Sequence, residues 1–239
     1  MLNMFLGFEQ ANRYALLDPS GNPAGFMVEE QTMGSVLGRQ VFRLHRPFRI
    51  LVLDVNGNVC LRISRGFSVI NSMVSVVSEP TRDLVGESQQ EWHLWRRRYN
   101  LFSAGRGGGG LDQFARIDAP WLSWDFPMVD EQGAAVAGVF RDFSGIGMEL
   151  FSDYGLYAVC FDGLALSQRF AATGRQAGGN VLSNMQMDLD RRAVALANAV
   201  SIDFDYFSRH SRVGHGGTPW MFFPMSSGLS QEQHDGDMD

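Results

Sequence analysis

The sequence predicts a mainly β protein in which an antiparallel barrel surrounds one buried C-terminal helix. The first observation is a repeated unit of strand, Asp-x-x-Gly turn and strand, at Asp18, Asp54 and Asp130. The second is that short apolar segments recur about every 8 to 12 residues, as in barrels and sandwiches. The third is a long helical segment that is apolar around most of its circumference. Such a helix must be buried on nearly all sides, which favours the barrel.

The turn at Asp54 has two interpretations, because Asp54, Asn56 and Asn58 place oxygens on alternate positions, as a calcium loop does. A helix-loop-helix calcium loop needs Gly at its sixth position and Glu at its twelfth. Counted from Asp54, Gly57 is fourth and Arg65 is twelfth. The flanking runs are branched and apolar, as in strands. The sequence therefore predicts a hairpin, in which Asp accepts from backbone amides and Gly adopts a positive φ.

Composition sets the broad class of the protein. The 239 residues are 45% hydrophobic and 19% charged, which allows a sizeable core. The net charge of -6 argues against a general nucleic-acid binder. Cys60 and Cys160 both lie in apolar runs, so we expect two buried free thiols without a disulfide framework. Residues 1–8 lack the basic region of a signal peptide.

The predicted helix covers residues 188–207 and begins with Asp188 as its N-cap. A core helix is favoured over a transmembrane helix, because the apolar stretch 193–202 is about half of the roughly 20 residues that a bilayer requires. It also contains Asn198, and Asp203 follows at once. The side chains expected in the core are Ala193, Val194, Leu196, Ala197, Val200, Ile202, Phe204 and Phe207.

The domain organisation predicted from these elements is simple. One domain covers residues 1–212. Residues 166–184, rich in Gly, Ser, Gln and Ala, are expected to form a loop insertion. Residues 213–239 are Gly-rich, end in acidic residues, and are expected to be a disordered tail.

Several short motifs occur in a fixed order from Leu6 to about His210. They are Leu6-Gly-Phe-Glu9, Asn12-Arg-Tyr14, Arg46-Pro-Phe48, Trp92-His-Leu-Trp-Arg-Arg-Arg-Tyr99, Phe143-Ser-Gly-Ile-Gly147, Glu149-Leu-Phe-Ser-Asp-Tyr-Gly-Leu-Tyr157 and Ser201-Ile-Asp-Phe-Asp-Tyr-Phe207. Taken together, they resemble the phospholipid scramblase family, and the Trp92 segment looks most like fungal, including mitochondrial, members.

The resemblance implies a tubby-like fold, a closed antiparallel barrel of about 12 strands around a central hydrophobic C-terminal helix. It also implies ATP-independent, Ca²⁺-stimulated, bidirectional movement of phospholipids between membrane leaflets, by a protein without a recognisable catalytic centre. The expected location is a membrane, either mitochondrial or plasma membrane. An alternative function is that of a peripheral lipid-binding or scaffolding module of the same fold, without transport activity.

Two departures from the family pattern affect this reading. The stretch 66–75 contains no cysteine, so the reversible lipid anchor that some members carry there is excluded. The segment that matches the family's proposed calcium site keeps only Asp153 and Asp162 as acids, and Ca²⁺ takes six to eight oxygens. These two are candidates for a weak Ca²⁺ site; the alternative is a strand that ends in acidic turns.

The segment from Trp92 to Tyr99 combines three consecutive arginines with aromatic residues that favour membrane interfaces. We expect it to contact anionic lipid headgroups of a phospholipid membrane, whereas no nucleic-acid partner is expected. The alternative is an exposed strand with one aromatic row buried, since a strand alternates its faces. The lipid-contact candidates are Trp92, His93, Trp95, Arg96, Arg97, Arg98 and Tyr99.

Overall fold

A computed structural model describes residues 13–30, 47–68, 70–105, 110–142, 156–173 and 181–207. Within these residues the chain forms one sheet of 11 strands, two α-helices and one π-helical turn. The strands are β1 Arg13–Leu17, β2 Pro23–Glu29, β3 Phe48–Leu53, β4 Val59–Arg65, β5 Met73–Ser78, β6 Leu84–Glu91, β7 Arg96–Ala104, β8 Leu111–Pro120, β9 Asp125–Val129, β10 Ala135–Asp142 and β11 Leu156–Cys160. The helices are α1 Gly163–Thr173 and α2 Leu189–Ile202, and the π-helical turn Asp203–Phe207 follows α2.

The strands pair in chain order and antiparallel, so β1 and β11 are the two edges of the sheet. The predicted mainly β class is confirmed. A closed barrel of about 12 strands is not confirmed, because the described residues form 11 strands and the two edges do not pair. Instead the sheet surrounds α2, which contacts β5, β6, β7, β10 and β11. The other edge, β1, reaches the π-helical turn through Tyr14.

The Asp-x-x-Gly turns are hairpins, as predicted. At the β3–β4 connection, Asp54 Oδ1 accepts hydrogen bonds of 2.8 Å from the backbone N–H groups of Asn56 and Asn58. Asp18 and Asp130 make equivalent bonds in the β1–β2 and β9–β10 turns. The Gly three positions after each Asp has a φ of 83°, 86° or 81°. Each carboxylate therefore bonds its own turn.

The main core lies between the sheet and α2. Asp188 Oδ1 accepts from the N–H of Arg191 over 2.9 Å, so the predicted N-cap is confirmed. Of the apolar residues predicted for the core in this segment, only Leu196 is partly buried and the others are buried. Fully buried strand side chains in the same core as the helix include Ile50, Ile63, Val76, Leu101 and Phe126.

Two predictions from composition are wrong. Residues 166–184 are not all loop, because α1 covers Gly163–Thr173 and buries Leu166 against Phe140 and Cys160. Its apolar residues follow a helical spacing that the surrounding polar residues obscure. Cys60 is exposed rather than buried, because it lies on the outer face of β4, whereas Cys160 is buried. The segment 213–239 lies outside the described residues.

Candidate functional site

A cluster of exposed aromatic and aliphatic side chains lies at one end of the sheet, where β6 joins β7 and β8 joins β9. The N–H of Trp121 donates to the carbonyl oxygen of Trp95 over 3.2 Å, which holds these two connections side by side. The exposed fractions range from 40% at Trp124 to 78% at Leu122. We call this cluster the aromatic rim, and its members are Trp92, Leu94, Trp95, Trp121, Leu122 and Trp124.

The β4–β5 connection extends this end of the molecule. The N–H of Trp92 donates to Asn71 Oδ1 over 3.0 Å, which links the connection to the aromatic rim. Phe67 and Ile70 in the same connection are 53% and 60% exposed. Because neighbouring antiparallel strands run in opposite directions, these three connections lie at one end of the sheet and the Asp-x-x-Gly turns lie at the other.

The structure divides the predicted lipid-contact segment in two. Trp92, His93 and Trp95 lie in the connection before β7, and only the part from Arg96 onward is strand. Arg96 and Arg98 are partly exposed and both contact Asp118 Oδ1; Arg98 also lies 3.6 Å from Glu91 Oε1.

These arginines lower the pKa of the Asp118 carboxyl group. Its partial desolvation would raise the pKa of the carboxyl, but hydrogen bonds and attraction from Arg96 and then Arg98 outweigh that effect and lower the pKa. The outward guanidinium groups therefore already have acidic partners on the protein.

Arg97 and Tyr99 are not available on the surface, which corrects their place among the lipid-contact candidates. Strand alternation turns both inward, and they are 8% and 1% exposed. The guanidinium carbon of Arg97 lies 3.8 Å from the ring centroid of Tyr206, and burial lowers the pKa of Arg97. Its Nη1 donates to the carbonyl oxygen of Ser123 over 3.3 Å, which connects the core to the rim.

A buried ion pair joins the end of the central helix to the sheet. Arg65 Nη1, at the end of β4, donates to Asp205 Oδ1 over 2.6 Å, and both side chains are almost fully buried. Tyr99 Oη donates to Asp205 Oδ2 over 3.0 Å, and Ser201 Oγ donates to the same oxygen over 3.2 Å. These donors offset the cost of burying a charged carboxylate, which is large unless its oxygens accept hydrogen bonds.

A second buried carboxylate connects the two edges of the sheet. Tyr14 Oη on β1 donates to Asp203 Oδ2 over 2.7 Å, and Tyr157 Oη on β11 donates to Asp203 Oδ1 over 2.5 Å. Burial, followed by the charge of Asp203, raises the pKa of both tyrosines far above the usual range. Both hydroxyls therefore stay protonated as donors, and one side chain of the π-helical turn holds both edges.

Comparison with known proteins identifies the family. A family model described as Scramblase matches residues 1–209. The chain belongs to the scramblase family. The resemblance seen in the sequence is thereby confirmed.

This scramblase-family chain is similar to two fungal proteins. It is 46% identical to the altered inheritance rate of mitochondria protein 25 of Saccharomyces cerevisiae, over 88% of this chain and 68% of that protein. It is 40% identical to a phospholipid scramblase family protein of Schizosaccharomyces pombe, over 98% of this chain and 63% of that protein. The chain thus spans about two thirds of the length of these relatives. No solved structure matches it.

Among the described residues, no helix combines the length and apolar character needed to cross a membrane. Most apolar residues of the central helix α2 lie in the core that the helix shares with the sheet, whereas Leu189 in its first turn is 79% exposed.

Of the two calcium candidates in this scramblase-family chain, only Asp162 lies among the described residues. Asp153 lies outside the described residues. Asp162 Oδ1 accepts from the N–H of Ala165 over 2.7 Å, so this carboxylate caps α1. No group of three or more His, Cys, Asp or Glu side chains that could hold a metal ion occurs in the part of the chain that the structure describes.

The lipid-contact candidates predicted from the sequence include only two of the six members of the aromatic rim, Trp92 and Trp95. The β8–β9 connection supplies Trp121, Leu122 and Trp124, and Trp121 follows Trp95 by 26 residues. Only the pairing of β7 with β8 brings this connection next to Trp95. A signal was present, since Pro120-Trp-Leu-Ser-Trp124 places two tryptophans within a short break between strands. Large apolar residues at such a break are unusual for a solvated turn.

Proposed function

We propose that this scramblase-family protein moves phospholipids between membrane leaflets, in both directions and without ATP. The observation that carries the proposal is the family match over residues 1–209. The name of the S. pombe relative, which refers to the phospholipid scramblase family, supports it. The barrier to this movement is the lost hydration of a charged headgroup in hydrocarbon. Family membership favours a lipid-translocating or lipid-binding role over that of an enzyme.

The surface proposed to meet lipid is the exposed part of the segment 92–99. Trp92, His93 and Trp95 lie at the end of the sheet, and Arg96 and Arg98 follow with side chains 39% and 33% exposed. Amphipathic aromatic rings beside guanidinium groups suit the headgroup region. In this proposal the charged row gives a headgroup polar contacts while the rings hold the protein at the interface.

Calcium stimulation and the choice of membrane also belong to the proposal. Calcium dependence is supported by the family resemblance alone, with Asp153 and Asp162 as candidate ligands. One relative carries mitochondrial inheritance in its name, which supports a mitochondrial membrane over the plasma membrane.

The second candidate is a peripheral lipid-binding or scaffolding module without transport. The observation that favours it is the burial of α2 from Ala193 to Ile202, where the apolar side chains lie in the core with the sheet. A protein of this kind binds one leaflet and leaves lipid exchange unchanged.

The deciding experiment is leaflet exchange of a fluorescent phospholipid in liposomes that contain the purified protein, without ATP and with or without Ca²⁺. An Asp153→Ala/Asp162→Asn variant removes the candidate ligand charges, while the side-chain amide introduced by the second substitution keeps an oxygen to cap α1. The control is Asp83→Ala/Asp112→Ala, which removes two exposed acids elsewhere.

Exchange that exceeds protein-free liposomes supports transport, and a Ca²⁺ stimulation lost only in the first variant supports the calcium site. Stimulation that both variants retain excludes these two ligands. Binding without exchange favours the peripheral module.

A further inference from the structure

We propose that the aromatic rim is the membrane-docking surface and that the protein meets the bilayer end-on, with the rim at headgroup depth and the Asp-x-x-Gly turns pointing away. The inference rests on the proposed function only in that the partner is a phospholipid membrane. It adds the docking residues, the orientation and the force that drives binding.

The chemistry of the rim fits a lipid–water interface. Four of the five tryptophans of the chain are in the aromatic rim. An indole ring has a large apolar body and one N–H donor, and it concentrates where hydrocarbon meets water. Leu94 and Leu122, 60% and 78% exposed, extend from the same connections and add purely apolar side chains. An exposed apolar cluster of this kind marks an interaction surface.

The rim is held in place by the folded core. The Trp121 to Trp95 and Trp92 to Asn71 hydrogen bonds tie the three connections to one another. Beneath them the ring of Trp124 lies 5.5 Å from that of Phe207, at the end of the π-helical turn. A surface that is already ordered loses less conformational freedom on binding.

Charge is not the main force in this docking. Arg96 and Arg98 already contact Asp118, and Arg97 is turned into the core. The whole chain carries a net charge of -6, which opposes attraction to anionic lipid. Docking through the rim is therefore expected on zwitterionic membranes and is expected to change little with salt, because screening acts on exposed charges rather than on apolar burial.

The test is flotation with vesicles of phosphatidylcholine alone and of phosphatidylcholine with added phosphatidylserine, each at low and high salt. The rim variant is Trp95→Ser/Leu122→Ser, at positions 66% and 78% exposed. The matched control is Leu17→Ser/Val55→Ser, 58% and 56% exposed at the opposite end of the sheet. A charge variant, Arg96→Gln/Arg98→Gln, removes the two outward guanidinium groups. Circular dichroism and urea midpoints verify that each variant is folded.

The expected result is that the wild-type protein floats with both vesicles at both salt concentrations. Since burying one large apolar side chain is worth about 1.5 to 3 kcal/mol, the rim variant should lose at least about tenfold in partition. The control should stay within about twofold, and the charge variant should still bind phosphatidylcholine. Quenching of tryptophan by brominated phosphatidylcholine in a Trp220→Phe background should be lost in the rim variant.

Several results would overturn the inference. The first is that the rim variant floats as well as the wild type. The second is that binding needs phosphatidylserine and disappears in high salt. The third is that the wild type binds neither vesicle. A rim variant that changes the oligomeric mass while retaining flotation would assign the rim to a second copy of the chain. Tryptophans shielded from brominated lipid despite flotation would assign it to the segment 208–239. Leaflet exchange is measured separately, so docking without exchange leaves this inference standing while the proposed transport fails.

Discussion

Asp203 and Asp205 show how single residues position the central helix. Both carboxylates are buried, at 9% and 7% exposure, where a charge is costly without hydrogen bonds. Asp203 accepts from tyrosines on the two edge strands, and Asp205 accepts from Arg65 and Tyr99 on interior strands. The two acids thus connect the end of the helix to four strands rather than merely ending an apolar run.

We predict that Asp203→Asn lowers the free energy of unfolding by about 2 to 4 kcal/mol, because hydrogen bonds to a buried charge are worth about 1.5 to 3 kcal/mol each. A double-mutant cycle with Tyr14→Phe should show a coupling of about 1 kcal/mol or more. Urea unfolding measures both values. The control, Asp112→Asn on the exposed face of β8, should change stability by less than about 0.5 kcal/mol. Additive effects of Asp203→Asn and Tyr14→Phe would show that the bond from the Tyr14 hydroxyl gains nothing from the charge of Asp203.

The two cysteines should differ in reactivity, because the thiolate is the reactive species. Cys60 is exposed, whereas Cys160 is 8% exposed and burial, followed by the nearby charge of Asp162, raises its pKa to about 11. We predict one fast thiol per native molecule with a thiol-specific disulfide reagent at about pH 8, and two after unfolding. The thiol of Cys160 should become more reactive as the pH approaches 11, because its thiolate fraction rises. Fast native reaction that persists in Cys60→Ser would contradict the placement of Cys160.

At the scale of elements, the sequence predicted what depends on local chemistry. The Asp-x-x-Gly hairpins and the Asp188 cap follow from side chains acting within a few residues. The burial of α2 was predictable because its own residues are apolar around most of the helix. Helix α1 was missed because its apolar spacing is short and lies in a polar background, so its burial depends on strands distant in sequence. In the segment 92–99, side chains alternate between the two faces of a strand only from Arg96 onward, where β7 begins. The start of β7 is set by its pairing with β8 and not by the local sequence pattern.

The same limit applies to the candidate site. Its first connection was predicted because Trp92, Trp95 and the arginines are contiguous in sequence. The second and third connections join it only through strand order and two hydrogen bonds between connections. Spatial proximity of this kind cannot be deduced from one chain before the pairing is known.

The contact between α2 and β6 depends on one glycine. A Cβ added at Gly86 would lie 2.2 Å from the carbonyl oxygen of Phe102 and 2.7 Å from Val194 Cγ2. The carbonyl oxygen belongs to the backbone and cannot easily move away from the added methyl group. We therefore predict that Gly86→Ala lowers the free energy of unfolding by about 2 kcal/mol or more, as overpacking does. Thermal and urea unfolding measure the change. Gly66→Ala is the matched control, since no atom lies within 4 Å of its added Cβ. Equal stability of both variants would mean that α2 does not pack so closely on β6.

Over the whole molecule, the two ends of the sheet have different chemistry. The end with the Asp-x-x-Gly turns presents carboxylates that accept hydrogen bonds from the backbones of their own turns. The other end presents the aromatic rim, and beneath it the π-helical turn brings the buried carboxylates, Arg97 and Phe207 together. The anchoring of the central helix and the proposed docking surface therefore lie at the same end.

This polarity predicts a depth profile on membranes. In a Cys60→Ser background, an environment-sensitive fluorophore is attached through Leu122→Cys at the rim or through Val55→Cys in the β3–β4 turn, positions 78% and 56% exposed. If the protein docks end-on, phosphatidylcholine vesicles should shift the emission of the first label to shorter wavelength and leave the second unchanged, since about 3.3 Å per residue of strand separates the two ends. Strand β3, which leads to this turn, has 6 residues, so the label in the turn lies well outside the headgroup region. Equal shifts at both positions would mean that the sheet lies flat on the membrane, and a shift only at the turn would reverse the orientation.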